Sequence, residues 1–121
     1  MATINLFGAS GHAKVIKEII EAQGDNVGCL YDDAPHCADI HGKTVCKASD
    51  ASVRGPLIIS IGSNRARKLI SERHPLTFAT AIHTKAIVSK TAQIGEGTVV
   101  MQGAIIQSDA KIGRHCIINT G

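Results

Sequence analysis

Residues 86–121 read AIVSKTAQIGEGTVVMQGAIIQSDAKIGRHCIINTG. This stretch counts in sixes. A branched aliphatic residue stands at Val88, Ile94, Val100, Ile106, Ile112 and Ile118, and two positions before each comes a small one: Ala86, Ala92, Thr98, Ala104, Ala110 and Cys116. Thr80 and Ile82 share the phase, so the pattern extends one unit earlier. A helix needs apolar residues at a period of 3.6 and a strand at a period of two. A period of six fits short strands joined by regular corners, as in a parallel β-helix whose hexapeptides form the flat faces of a triangular coil. The aliphatic residue then points inward and stacks on its counterpart one coil away, at roughly the 4.8 Å strand spacing. Gly95, Gly97, Gly103 and Gly113 suit the corners, where positive φ or close backbone approach is needed.

Upstream, Thr3–Phe7 is a short buried strand running into the small-residue turn Gly8-Ala-Ser-Gly-His12. Val15, Ile16, Ile19 and Ile20 then recur at helical spacing, predicting a helix over 13–23 that Gly24 stops. Strand, glycine-bearing turn and helix open a nucleotide-binding βαβ unit, in which turn amides and the helix N-terminus favour a phosphate. A second strand over 27–31 ends at Asp32-Asp33, where a ribose-binding acid belongs. The full G-x-G-x-x-G fingerprint is absent, because Ser10 and Ala13 replace its second and third glycines. That disfavours a dinucleotide oxidoreductase.

Residues 34–56 are punctuated by Pro35, Gly42, Gly55 and Pro56, with a short extra strand expected at 41–45 and a helical turn at 50–53. The unbroken apolar run Leu57–Ile61 suits a parallel strand covered on both faces. It ends in the turn Gly62-Ser63-Asn64, and a helix is expected over 64–73 with Leu69 and Ile70 inward. A last strand is expected at 76–79. Both glycine-bearing turns and the aspartate pair converge on the carboxyl edge of the sheet, where such sheets bind ligands. The expected organisation is an α/β Rossmann-like unit over 1–79 and a β-helical unit over 80–121.

Composition narrows the function. Hydrophobic residues make up 44% of the 121 and charged residues 19%, which suits a folded chain. Aromatics are scarce (Phe7, Tyr31 and Phe78), which argues against stacking on single-stranded nucleic acid. The net charge is only +3, and the one basic cluster, Arg65, Arg67, Lys68 and Arg73, is expected to be the solvated face of a helix. With no signal-peptide pattern, no apolar run of membrane-spanning length and no CxxC spacing among Cys29, Cys37, Cys46 and Cys116, the expected setting is cytoplasmic with reduced thiols. His36, Cys37, His41 and Cys46 match no common zinc spacing, so no metal is expected.

With both halves in view, the chain resembles the bacterial sugar acetyltransferases of the sialic-acid O-acetyltransferase type, which include the enzymes that N-acetylate UDP-4-amino-sugars. The resemblance spans the whole chain. It rests on Phe7-Gly-Ala-Ser-Gly-His12, Tyr31-Asp-Asp33, Ile59-Ser-Ile-Gly-Ser-Asn64 and the repeat closing on Ile117-Ile-Asn-Thr-Gly121, in that order. It implies a left-handed β-helix, a homotrimer packed through its prisms, and active sites between neighbouring subunits. It places Gly8, Ser10, Gly11 and His12 near a nucleotide-sugar, Asp32 and Asp33 near its uracil and ribose, Gly62 and Asn64 along the same edge, and acetyl-CoA against the β-helix coils of adjacent subunits.

The family's general base is a histidine followed by an acid, beyond the Asn-Thr segment. Within residues 1–121 that pair is absent after Asn119-Thr120. The expectation is therefore a fragment that is inactive alone, with Asn119 orienting the acceptor or the base. His115 falls on a corner position and is expected to pack or be solvated, His83 to be structural, and His12 to be the histidine best placed for a ligand. The alternatives are a nucleotide-sugar-binding module without chemistry and a trimerisation element with a vestigial Rossmann unit.

Overall fold

The apolar run Thr3–Phe7 forms β1, and the run Leu57–Ile59 forms β5 beside it, in parallel. The structure, a computed structural model, describes residues 2–9, 11–32, 39–40, 43–47, 53–73 and 76–119. Between β1 and β5 the chain makes α1 (Gly11–Ala22), β2 (Asn26–Asp32), β3 (Asp39–Ile40) and β4 (Lys43–Lys47). These give a five-stranded sheet in the order β3-β4-β2-β1-β5, parallel apart from the β3–β4 pair. The strand expected at 41–45 is present as β4, while His41 and Gly42 lie outside the described residues, as do residues 50–52 of the expected turn.

Helix α1 ends as its sequence predicts. Gly24 takes φ 94°, with Gly24 N bonded to Glu21 O and Asp25 N to Ile20 O, the paired bonds of a glycine-capped helix end. Its apolar stripe, Ala13, Ile16, Ile19 and Ile20, is buried against Ile4, Leu6, Val27, Leu30 and Ile58. Helix α2 (Asn64–Arg73) is associated with the apolar set of the opposite sheet face, Ile70 packing with Phe7, Tyr31, Leu57, Ile59 and Phe78. The expected inward pair is corrected here, because Leu69 is 58% exposed while Ile70 is buried. Adjacent residues point about 100° apart on a helix. The residue sharing Ile70's inward stripe is Arg67, three positions earlier and only 5% exposed, so the solvated basic face expected there holds for Arg65 and Lys68 but not for Arg67.

One bulge shapes the sheet. Gly28 and Cys29 of β2 together oppose Asn5 of β1, and Asn5 Oδ1 accepts from Cys29 N at 2.9 Å. The expected last strand is reduced to a single parallel bridge, Leu57 to Phe78.

From Ala81 onward the chain turns into the coil. Ala81–Ile82 (β6), Val99–Val100 (β9) and Ile117–Ile118 (β12) make one face. Ile87–Val88 (β7) and Ile105–Ile106 (β10) make the second, and Gln93–Ile94 (β8) and Lys111–Ile112 (β11) the third. Every pairing is parallel and eighteen residues apart, as Ile105 opposite Ile87 shows, so three hexapeptides complete one coil. Val88, Ile94, Val100, Ile106, Ile112 and Ile118 share one apolar core with Ala86, Ala92, Ala104 and Ala110, and Thr98 is fully buried.

The corners are also periodic. Positive φ occurs at Gly97 (78°), Gly103 (78°), Asp109 (62°) and His115 (54°), six residues apart. Gly95 is needed for a different reason, since a Cβ there would lie 2.5 Å from the Gly113 backbone. Gly113 has neither a positive φ nor a close approach of its own, contrary to the expectation for it. The α/β part covers the first coil face: Ala81 and Val99 are buried in the same apolar cluster as α1. No helix among the described residues is long and apolar enough to cross a membrane.

Candidate functional site

The turn after β1 is built around Gly8. Its φ of 119° is open to glycine, and a Cβ there would stand 2.7 Å from Ile61 Cγ1. Gly8 N donates to Tyr31 O at 2.6 Å, and the buried Ser60 hydroxyl donates to Gly8 O at 2.6 Å, so the turn is held from both neighbouring strands. Ala9 N donates to Asp32 Oδ2 at 2.9 Å. Asp32 thus closes the glycine turn from the end of β2. Ser10 and Asp33 lie outside the described residues.

Gly11 starts α1 and His12 follows it. His12 lines a cavity of about 840 Å3 between this helix start, α2 with the turn before it, and the last coil; Gly62, Asn64, Arg67, His115 and Asn119 also line it. Four residues singled out from the sequence, His12, Gly62, Asn64 and Asn119, are therefore brought together around one space. Gly8 and Asp32 support the turn from behind and do not line it.

Ser63 caps α2 through its hydroxyl, which accepts from Ala66 N at 3.2 Å. That leaves the Asn64 side chain free for another contact, and its Oδ1 accepts from Arg67 Nη2. The same guanidinium donates from Nη1 to Ile61 O at 3.0 Å and Gly62 O at 2.9 Å, and from Nε to His115 O at 2.9 Å. No carboxylate meets it among the described residues, and burial pulls its pKa downward. Four convergent oxygens stabilise this buried cation in place of an acid.

The walls carry excess positive charge. Among the described residues Arg67, Lys68 and Arg114 line the cavity and no acid does, although the exposed Arg114 also meets the exposed Glu96 at 2.7 Å. His12 Nε2 and both ring nitrogens of His115 are buried without a hydrogen-bond partner. Such groups are normally satisfied by protein, water or ligand. Burial, then the nearby Arg67, lowers the His12 pKa; burial, then Arg114, lowers that of His115. Both imidazoles are held towards the neutral form. A cationic space with neutral imidazoles suits an anionic, hydrogen-bonding ligand such as a phosphorylated sugar.

His115 sits on a corner, as its place in the repeat predicts, and it packs. Its ring meets Phe78 edge-on at 4.5 Å between centroids. His83 is a local turn residue whose Nδ1 accepts from Lys85 N at 2.9 Å. Sequence reasoning missed Arg67 as a site residue, and the signal that could have found it is its three-residue spacing from Ile70. The described cysteines, Cys29, Cys46 and Cys116, are free thiols; of the zinc set weighed above, His36, Cys37 and His41 are outside the described residues.

Known proteins match this arrangement. Residues 3–74 fit the PglD N-terminal domain, and residues 91–121 fit the bacterial transferase hexapeptide (six repeats). UDP-N-acetylbacillosamine N-acetyltransferase of Bacillus subtilis is 43% identical over 113 residues, covering 84% of this chain and 52% of that protein. PerB from Caulobacter crescentus, solved in complex with CoA and GDP-perosamine, superposes with a TM-score of 0.83 at 32% identity, covering 100% of this chain and 61% of that one. The acetyltransferase domain of PglB from Neisseria gonorrhoeae, solved with acetyl coenzyme A, superposes at 0.80 and 29% identity, covering 97% and 61%. The chain thus spans about half the length of the curated relative and about three-fifths of the solved ones.

Proposed function

The chain belongs to the sugar acetyltransferase family that joins a PglD-type N-terminal domain to hexapeptide repeats, and from that premise we propose that the whole protein transfers acetyl from acetyl-CoA to a sugar nucleotide. The acceptor atom is an amine or hydroxyl of the sugar. The observation that carries this reading is the cavity shared by His12, Gly62, Asn64 and Asn119, with Arg67, Lys68 and Arg114 in its walls, between the βα turn and the last coil. Relatives named as N-acetyltransferases, and solved with CoA and GDP-perosamine or with acetyl coenzyme A, support both substrates.

In this reading residues 1–79 are a Rossmann-like nucleotide-sugar unit and residues 80–121 the first coils of a left-handed β-helix. Gly8, Ser10 and Gly11 shape the turn that receives the diphosphate, Asp32 and Asp33 stand towards the base and ribose, and Gly62, Asn64 and His12 border the sugar. Acetyl-CoA lies against the coils of neighbouring subunits in a cytoplasmic homotrimer. Ile87 and Ile105, paired on one coil face and 65% and 61% exposed, support that assembly as the kind of apolar surface a subunit interface covers.

The chemistry is direct transfer. A base takes the acceptor's proton as its nitrogen or oxygen attacks the thioester carbonyl, the oxyanion rests on a backbone N–H, and CoA thiolate leaves. Asn119 orients acceptor or base. The base itself is assigned to a histidine outside residues 1–121, and solved relatives that include a histidine-to-asparagine variant support a histidine. None of the histidines discussed above is given that role. General-base help is worth about 10² to 10⁴ in rate, so the 121-residue polypeptide alone should turn over no measurable acetyl-CoA.

The test is thiol release from acetyl-CoA by the complete protein with UDP- and GDP-linked amino sugars. Turnover with an amino sugar and none with its hydroxyl counterpart would specify N-acetylation. Calorimetry separates the alternative, a nucleotide-sugar-binding module: it predicts binding of the sugar nucleotide and no thiol release.

A further inference from the structure

Two side chains tie the α/β part to one face of the coil, at its two ends. At the first rung Gln23 Oε1 accepts from Ile82 N at 2.7 Å, and Gln23 Nε2 donates to Thr80 O at 3.3 Å. At the third rung Arg67 Nε donates to His115 O at 2.9 Å. Between them Ala81 and Val99 are packed into the apolar cluster of α1. An apolar contact of this kind is non-directional. A backbone bond near the junction, Gly97 N to Ala79 O at 2.8 Å, holds the middle rung, and the side-chain ties limit rotation and sliding at the two ends.

The Arg67 tie differs from that of Gln23 in what it reaches. One planar guanidinium joins Ile61 O, Gly62 O and Asn64 Oδ1 on the α/β side to His115 O on the coil side. Three of those acceptors, on Gly62, Asn64 and His115, belong to residues that line the cavity. Gly62 and Asn64 line its α2 side, and the segment from His115 to Asn119 lines the other. His115 offers its carbonyl from a left-handed corner, φ 54°, so the bond also fixes the conformation that leads into Ile117–Asn119.

We propose that Arg67 is a positioning residue for acetyl transfer: it sets the span between the turn holding the acceptor sugar and the coil segment ending at Asn119. The proposal rests on the acetyl-transfer reading for its kinetic readout. Arg67 touches no reacting atom in this role. A lysine keeps the charge and the stem, yet as a point donor it does not reproduce a fork spanning four acceptors.

The experiment uses the complete enzyme with acetyl-CoA and its amino-sugar nucleotide. Arg67→Lys and Gln23→Leu should both lower the melting temperature, but Arg67→Lys alone should lower kcat, roughly 10- to 100-fold, the scale set by an ångström of misplacement, with KM for acetyl-CoA close to wild type. Gln23→Leu, which cuts the tie at the far end, should leave kcat near wild type. Wild-type kcat in Arg67→Lys, or an equal fall in Gln23→Leu, would overturn the proposal. Should the wild-type enzyme show no acetyl transfer, the functional reading fails, and hydrogen exchange still decides the tie. The amides of His115, bonded to Glu96 O, and of Val99, bonded to Cys116 O, should exchange tenfold or more faster in Arg67→Lys. Unchanged exchange at both amides would sink it.

Discussion

The imidazole of His115 fills the space where a side chain on Gly97 would begin: a Cβ built on Gly97 falls against Nδ1 and Cε1 of the ring. The two residues occupy one corner of successive coils, and both have positive φ. Gly97 is therefore held to glycine twice, by its own backbone and by its neighbour one coil later. Gly97→Ala should cost about 1–2 kcal/mol for the left-handed backbone and about 1–3 kcal/mol more for the overpacked ring. In urea titrations, adding His115→Gly to Gly97→Ala should remove the second cost and leave the first, a non-additivity expected of residues in contact.

Stability should depend on pH through the same site. His12 and His115 both have pKa values lowered in the folded chain, chiefly by burial. The unfolded chain then binds protons first as pH falls below about 6.5, so stability is full above that value and declines below it. Melting temperature should rise between pH 5 and 7 and then level off. Replacing both histidines by asparagine should flatten the rise; an unchanged slope would contradict the assignment.

Removing Gln23 tests the first rung. Gln23→Leu leaves Ile82 N and Thr80 O without their side-chain amide partner. Part-buried backbone groups left unpaired cost about 1–3 kcal/mol, read as an earlier midpoint in urea with an unchanged m-value.

Two substitutions address the nucleotide end. Asp32→Ala removes the acceptor for Ala9 N, which loosens the turn, and Gly11→Val puts a β-branched residue at the first position of α1. Calorimetry with a UDP-sugar should show affinity reduced about tenfold or more, the value of one charge-assisted hydrogen bond at about 1.5–3 kcal/mol. Unaltered affinity in both would favour the vestigial reading of this unit.

Asn119→Ala in the complete enzyme should lower kcat about 10- to 100-fold with KM for acetyl-CoA little changed, as for an interaction made mainly in the transition state. Equal kcat in the variant would remove Asn119 from the mechanism.

Much of the fold was legible because local rules agree with one another. The sixfold columns of the coil, the helix stop at Gly24 and the apolar run at β5 all need only short-range periodicity and sterics. The positive φ at Asp109 and His115 was not legible, although the repeat places His115 on a corner, because glycine is the usual residue there and a polar side chain also tolerates that region. The site was half legible. His12, Gly62, Asn64 and Asn119 stood out by motif, and each lies at an element's end.

Arg67 shows where sequence ends. Its neighbours Arg65 and Lys68 are exposed, as a basic helix face suggests. One turn of α2 instead directs Arg67 inward, where three oxygens from its own turn and one from the coil meet it. The sequence by itself determined the two kinds of element, because hydrophobic period is a property of neighbouring residues. Only the tertiary structure decided that a guanidinium could be buried without an acid, because that depends on carbonyls about fifty residues apart converging within hydrogen-bond reach.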